Sequence, residues 1–165
     1  MGFEPDENIF SFLQYNVKSF GFENVEIIKK ACWNKETSLK FFSEGADAGR
    51  VAKSFDKTNV IHVSTISLRN YMNRKIDLLK MDIEGAENVV LRDIKDLLIN
   101  VERIFIEFHS FVDKEQSLPD ILNILKDAGF RFLIHHIGTY SPNPFISVSN
   151  YLNMDLQLNI YGYRS

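Results

Sequence analysis

The segment Ile76–Glu87, with the sequence IDLLKMDIEGAE, constrains the fold more than any other part of this 165-residue chain. Its apolar run Ile76–Ile83 predicts a buried strand, and apolar residues that recur at helical spacing after the segment predict a helix. The run ends in two acidic residues and a glycine, Asp82, Glu84 and Gly85. A buried strand that leads through acidic residues into a helix is typical of the edge of an α/β sheet where ligands bind.

Acidic residues at such an edge allow two interpretations. Solvating a carboxylate beside a core strand is costly, and titratable groups cluster at functional sites. Asp82 and Glu84 are therefore candidates for catalysis or ligand binding. Alternatively, Glu84 and Glu87 only complement the dipole of the helix that follows.

Strands alternate with helices along the chain, which predicts an α/β fold with a mostly parallel sheet and helices on both faces. The length suits a single domain over residues 1–165. The predicted helices are Glu7–Phe20 with Asp6 as its cap, Leu68–Met72, a segment after Glu87, and Leu118–Ala128. The predicted strands are a fragment ending near Glu4, Val25–Lys29, Ser38–Ser43, Asn59–Thr65, Ile76–Ile83, Arg103–Phe108, Phe130–His135 and Asp155–Tyr163. Glu44–Thr58, which is polar and rich in small residues, predicts a loop.

Composition excludes several classes of protein. The net charge is −3 and no basic block stands out, so we expect no nucleic-acid partner. Cys32 is the only cysteine, which excludes an internal disulfide and a cysteine-rich zinc site. No apolar stretch is long enough to span a bilayer and no signal peptide is recognisable, so we expect no membrane association and a cytoplasmic location.

Further polar residues stand near the ends of other predicted strands. Glu107 and His109 end the strand RIFIEFHS, and they would converge with Asp82 and Glu84 if the two strands are neighbours. Carboxylates beside an imidazole suit general-base catalysis, and they would equally suit a metal ion with oxygen and nitrogen ligands. Glu4 could accept both ribose hydroxyls of a nucleotide-like cofactor, or it could simply be an acidic residue at a helix entry.

Four stretches of the chain resemble segments of FkbM-type S-adenosylmethionine-dependent methyltransferases. They are FEPDENIFSFLQYNVKSFGFENVEIIKKACWNKETSLKFF, IDLLKMDIEGAENVVL, RIFIEFHS and QLNIYGYR. The resemblance implies a Rossmann-like class I methyltransferase fold, S-adenosylmethionine as cofactor, and methyl transfer to an oxygen of a sugar or natural product. It also implies a small-molecule or saccharide acceptor as the partner.

The same resemblance implies roles for individual residues. Glu4 would hold the cofactor ribose, and Ala31 and Cys32 would lie near the adenine. Asp82, Glu84 and Gly85 would border the methionine end and the acceptor. For a hydroxyl acceptor, the candidate bases are His109, Glu107 and Asp82, with His109 the first choice.

One departure from the family concerns the beginning of the chain. Family members carry a strand and a glycine-rich turn before the FEP element, whereas only two residues separate Met1 from Glu4. We therefore expect a truncated fold that lacks the first strand and the glycine-rich loop, or a homo-oligomer that completes the sheet through another copy. Three hypotheses follow: a methyltransferase, an inactive module for oligomerisation or partner binding, and an enzyme with a divalent metal at the cluster of acidic residues and histidine.

Overall fold

The computed structural model of the chain describes residues 1–43, 49–51, 60–138 and 140–164. Two compact units emerge, Met1–Leu68 and Arg69–Ser165. The single domain expected over residues 1–165 stays a prediction, and each unit is described by itself.

The first unit contains one helix and short strands. Its elements are β1 Gly2–Phe3, α1 Glu7–Ser19, β2 Ile27–Ile28, β3 Ala31–Trp33, β4 Ser38–Ser43, β5 Gly49–Val51 and β6 Val60–Ser67. β1 pairs with β2 in parallel, and the other strands form a sheet in the order β3-β6-β4-β5. In that sheet β3 and β6 are parallel, whereas β4 is antiparallel to both of its neighbours.

Helix α1 begins and ends where its local sequence predicts. The Asp6 side chain accepts hydrogen bonds from the backbone N–H groups of Asn8 and Ile9, which would otherwise be unpaired at the first turn. Gly21 has a φ of +68° and donates its N–H to Lys18, while Phe22 donates to Val17. This glycine-dependent C-cap confirms the predicted helix to within one residue.

The second unit contains the Ile76–Glu87 segment. Its elements are β7 Ile76–Met81, α2 Glu87–Ile94, β8 Val101–Phe111, α3 Leu118–Asp127, β9 Arg131–Ile137 and β10 Met154–Tyr163. A 3₁₀ helix at Lys95–Asn100 follows α2, and another at Leu68–Tyr71 spans the boundary between the units. The strand order is β7-β8-β10-β9, with β7 parallel to β8 and β10 antiparallel to both neighbours.

The core of the second unit lies on one face of this sheet. The helical segments contribute Val90, Leu91, Ile94, Leu98, Ile121 and Leu125, and the strands contribute Ile104, Ile106, Phe108, Leu158 and Ile160. Side chains alternate between the faces of a strand, so Arg103, Phe105 and Glu107 belong to the opposite face. That face also carries the exposed side chains of Leu78, Leu133 and Tyr161.

The prediction of a mostly parallel sheet is wrong. The sheets are mixed rather than mostly parallel: among the described strands, three pairings are parallel and four are antiparallel. Apolar patterning reports which face a strand buries but not its direction, and both β10 and β5 pair with antiparallel neighbours. On the opposite face of the second unit Leu78 is 60% exposed, and the expectation of helices on both faces stays a prediction.

Several boundaries also differ from the sequence prediction. The strand expected at Val25–Lys29 is only two residues long. Ala31–Trp33, which we expected to lie just beyond the end of that strand, forms a separate strand. The loop expected at Glu44–Thr58 contains β5, and its remaining residues lie outside the described ranges. Across those ranges, no helix has both the length and the hydropathy needed to cross a membrane.

Candidate active site

The carboxyl end of β7 and the neighbouring part of β8 form the polar edge of the second unit. The two strands are parallel and adjacent, so residues that follow β7 lie beside residues late in β8. Asp82 comes directly after β7, while Glu107 and His109 are two positions apart on β8 and therefore face the same side. The structure thus brings together Asp82, Glu84, Glu107 and His109, and their catalytic role stays a prediction.

His109 is at the centre of this cluster. Its imidazole is buried, with Nε2 at 3.6 Å from Glu84 Oε2 and 3.7 Å from Glu107 Oε1. These distances exceed those of direct hydrogen bonds, so Nε2 faces the two carboxylates without being closely bound to either. Nε2 is therefore the ring nitrogen of His109 that lies between the carboxylates of Glu84 and Glu107.

Glu87 holds the other ring nitrogen, and the sequence prediction missed this role. Its Oε1 lies 3.1 Å from His109 Nδ1 and also accepts the backbone N–H of Gly85 at 3.0 Å. The residue is only 1% exposed. The alternative in which Glu87 merely complements the helix dipole fits its place in the first turn of α2 but does not explain why its carboxylate is buried.

Gln157 on β10 is a second residue that the sequence did not single out. It is the register partner of His109 across the β8–β10 pairing. Its Nε2 donates to Glu107 Oε1 at 2.8 Å and lies 3.4 Å from His109 Nε2. A Cβ on Gly138 would come within 2.8 Å of Gln157 Oε1, so the glycine leaves room for this side chain. No local pattern could have revealed a partner that is 48 residues away.

The pKa values of two groups of the cluster, Glu84 and His109, are both raised. Burial raises the pKa of Glu84, His109 opposes this rise, and the negative charges of Asp82, Glu87 and Glu107 add to it, so that the pKa is raised overall. Burial alone would lower the pKa of His109, but the hydrogen bond to Glu87 and the surrounding carboxylates raise it overall. The carboxylates thus shift the pKa of His109 in the direction expected for an imidazole beside negative charges.

Glu84 lies in a sharp turn that follows β7. Glu84 has a φ of +52° and Gly85 a φ of +89°, so two successive residues adopt left-handed backbone conformations. Such a conformation is costly for a residue with a side chain, and it is often found at functional sites. The turn also points the Gly85 N–H at the Glu87 carboxylate.

The cluster also has the spacing of a cation site. Asp82, Glu84 and His109 each offer one atom, and these atoms lie within 4.8 Å of one another. Carboxylate and imidazole groups at this spacing could hold a divalent cation. However, Lys80 Nζ lies 3.1 Å from Asp82 Oδ2, so that carboxylate already has a cationic neighbour.

The residues expected to bind the nucleoside end of a cofactor belong to the first unit. Glu4 follows β1 and its Oε1 accepts the backbone N–H of Asp6 at 2.8 Å. Burial raises the pKa of Glu4. Ala31 and Cys32 belong to β3, in a different sheet from β1, and burial raises the pKa of the Cys32 thiol to about 12. This raised pKa argues against Cys32 as a nucleophile.

Comparison with known proteins identifies the family of this chain. The sequence model of the methyltransferase FkbM domain matches residues 1–132, and the chain therefore belongs to this family. This result confirms the resemblance carried by the DIEGAE segment. No curated protein matches the chain.

Two solved structures are similar to the chain. The methyltransferase FkbM from Methylobacillus flagellatus KT aligns over 98% of this chain with a TM-score of 0.59 and 16% identity, which shows a shared fold. The chain spans 35% of the length of that protein. A precorrin-6y C5,15-methyltransferase from Geobacter metallireducens GS-15 aligns over 99% of this chain and 65% of its own, with a TM-score of 0.47 and 12% identity.

Proposed function

We propose that this chain is an S-adenosylmethionine-dependent methyltransferase that methylates a hydroxyl oxygen of a sugar or natural product. Membership of the FkbM family supports the reaction class. The observation that carries the proposal is the buried His109, whose Nε2 faces the carboxylates at the end of β7 while Glu87 holds Nδ1. This arrangement suits the removal of a proton from a hydroxyl group.

The chemistry of the residues present fits the proposed cofactor. In the first unit, the half-buried carboxylate of Glu4 is suited to accept ribose hydroxyls, and Ala31 with the protonated Cys32 would offer an apolar surface to the adenine. In the second unit, Asp82 and Gly85 would border the methionine end. When bound, S-adenosylmethionine would supply a methyl group that is already activated by its sulfonium, so the protein mainly has to align the acceptor.

His109 would then act as the general base. With Nδ1 bonded to the Glu87 carboxylate, the neutral imidazole keeps its lone pair on Nε2. Nε2 would take the proton of the acceptor hydroxyl as the oxygen gains the methyl group, and the imidazolium would be stabilised by Glu87, Glu84 and Asp82. Glu107, held by Gln157, would orient the acceptor hydroxyls.

The test combines cofactor binding with methyl transfer. Calorimetric titration with S-adenosylhomocysteine should show binding, and isotope-labelled S-adenosylmethionine should label members of a panel of sugars and polyhydroxylated natural products. His109→Gln should lower kcat at least about 100-fold, the lower bound for a general base, without abolishing binding. His136→Gln, the same substitution at an exposed site on β9, is the matched control. Equal activity of the two variants would disprove the role of His109.

An inactive module for oligomerisation or partner binding is the alternative proposal. It rests on the exposed apolar side chains of Leu78, Leu133 and Tyr161 on the open sheet face of the second unit. A second copy of the chain could cover that face or complete a sheet. Absence of S-adenosylhomocysteine binding together with a dimer in analytical ultracentrifugation would support this alternative. The cytoplasmic location and the absence of nucleic-acid and membrane partners stay predictions from the sequence.

A further inference from the structure

The Glu87–His109 pair is the most deeply buried polar contact of the site. Both side chains are 2% exposed, and Glu87 Oε1 is 3.1 Å from His109 Nδ1. The two residues come from different elements, the first turn of α2 and the late part of β8. The contact therefore fixes the ring against a helix rather than against its own strand.

We infer that Glu87 is a positioning residue that fixes the tautomer and orientation of His109, so that Nε2 is the atom offered to the acceptor. This inference rests on the proposed function, since it assigns His109 the role of base. Glu87 itself would touch neither acceptor nor cofactor, because its carboxylate lies behind the imidazole on the Nδ1 side.

The energetics indicate that this role is more than helix capping. An exposed carboxylate in the first turn would stabilise the helix dipole just as well. A buried carboxylate instead carries a desolvation penalty unless hydrogen bonds and a charge partner offset it. The Gly85 N–H offsets part of that penalty, and His109 offsets a further part only while the imidazole keeps its proton on Nδ1.

A single oxygen atom of Glu87 makes both of its hydrogen bonds in the site. Glu87 Oε1 accepts from both Gly85 and His109, so the turn after β7 and the imidazole are tied to the same atom. Glu84 lies in that turn, with Oε2 at 3.6 Å from Nε2. Loss of Glu87 would therefore release the imidazole and the facing carboxylate together.

The first measurement uses the free chain labelled with ¹⁵N in its histidine rings. Nuclear magnetic resonance should show the neutral His109 ring protonated on Nδ1 in the wild type and in Glu87→Gln, whose amide oxygen can still accept. Glu87→Ala should give a mixture of tautomers. The control Glu102→Gln removes a carboxylate from the surface and should change nothing.

The second measurement is steady-state methyl transfer. Glu87→Gln should lower kcat about 10-fold and Glu87→Ala about 100-fold, at the lower end of what a general base contributes, while KM for the acceptor changes less than about 2-fold. A purely structural Glu87 would leave the ring tautomer unchanged in Glu87→Ala, and that result would overturn the inference. A changed tautomer with wild-type kcat would overturn it as well.

These measurements also separate the inference from the proposed function. If the wild-type chain transferred no methyl group, the proposed function would fail. The tautomer measurement would still decide whether Glu87 positions the imidazole, because it needs neither cofactor nor acceptor. Should Glu87→Ala fail to fold, Glu87→Gln keeps the shape of the side chain and the kcat comparison remains decisive.

Discussion

Gly85 lies against the ring of Phe111, and a Cβ at Gly85 would approach Phe111 Cε2 to 2.7 Å. The Phe111 ring also stacks on His109, with 6.5 Å between their centroids. The absence of a side chain at Gly85 therefore allows the turn after β7 to close over the aromatic pair. Its φ of +89° makes glycine the favoured residue for the backbone as well.

Gly85→Ala should destabilise the protein more than an alanine placed at another left-handed glycine. A side chain in this conformation costs about 1–2 kcal/mol, and the contact with Phe111 should add about 1–3 kcal/mol of overpacking. Gly21→Ala is the matched control, because Gly21 has a φ of +68° and a Cβ added there would meet nothing within 4 Å. Chemical denaturation measures both, and equal losses would contradict the role of the Phe111 contact.

Arg164→Lys should destabilise the second unit by about 1–3 kcal/mol. The Arg164 guanidinium donates to the backbone carbonyls of Leu98, Val101 and Ala128 at 2.7–2.9 Å, and it stacks on Phe130. A lysine cannot reach three carbonyls with one ammonium group in the same geometry.

Arg92→Lys provides the comparison for Arg164→Lys. Arg92 pairs with Asp120 at the surface, so its replacement should cost less than about 1 kcal/mol. Thermal or denaturant unfolding of the two variants would give the difference in the free energy of unfolding. A smaller loss for Arg164→Lys than for Arg92→Lys would show that the three carbonyl contacts contribute little.

The stability of the Glu84→Gln variant relative to the wild type should increase as the pH rises. Burial raises the pKa of Glu84 above that of the unfolded chain, so the folded state binds this proton more tightly. The stability that comes from this proton is present below the unfolded pKa and is lost as the pH rises through the folded pKa. Melting temperatures of wild type and variant between pH 4 and 8, roughly, would test this. A difference that does not vary with pH would contradict it.

The pH dependence of kcat/KM should report the ionisation of the His109 imidazole. A general base must be neutral, and the Glu87 hydrogen bond together with the charges of Glu84 and Asp82 raises the pKa of His109. Activity should therefore rise with pH through a value above the ordinary imidazole pKa of about 6.5. Glu87→Gln removes a negative charge and should move this limb to lower pH. Glu107 also faces His109 Nε2, but it is present in both the wild type and Glu87→Gln and so does not contribute to the difference between them.

Removal of divalent metal should leave methyl transfer unchanged. Lys80 already pairs with Asp82, and the proposed mechanism assigns the proton to His109 rather than to a metal-bound oxygen. Assays in the presence and absence of a chelator, with S-adenosylhomocysteine binding as the control, would check this. Loss of activity that Mg²⁺ or Mn²⁺ restores would instead favour a cation held by Asp82, Glu84 and His109.

Features with local causes could be predicted from the sequence. Helix α1 is bounded by the Asp6 cap and by Gly21, both of which act on the nearest turn. The convergence of Asp82 with Glu107 and His109 was predicted on the condition that their strands are neighbours, and β7 and β8 do lie side by side and parallel.

Only the tertiary structure decided the direction and order of the other strands and the partners of His109. β10 lies antiparallel between β8 and β9, which places Gln157 opposite His109, and no local interaction specifies that register. Glu87 has the sequence position of an exposed acidic residue at a helix start, yet packing of α2 against the sheet buries it beside Nδ1. The sequence by itself determined which residues could do chemistry at this edge, since capping and strand–helix periodicity act over a few residues. Long-range packing decided how they are oriented, because burial and register depend on contacts between distant parts of the chain.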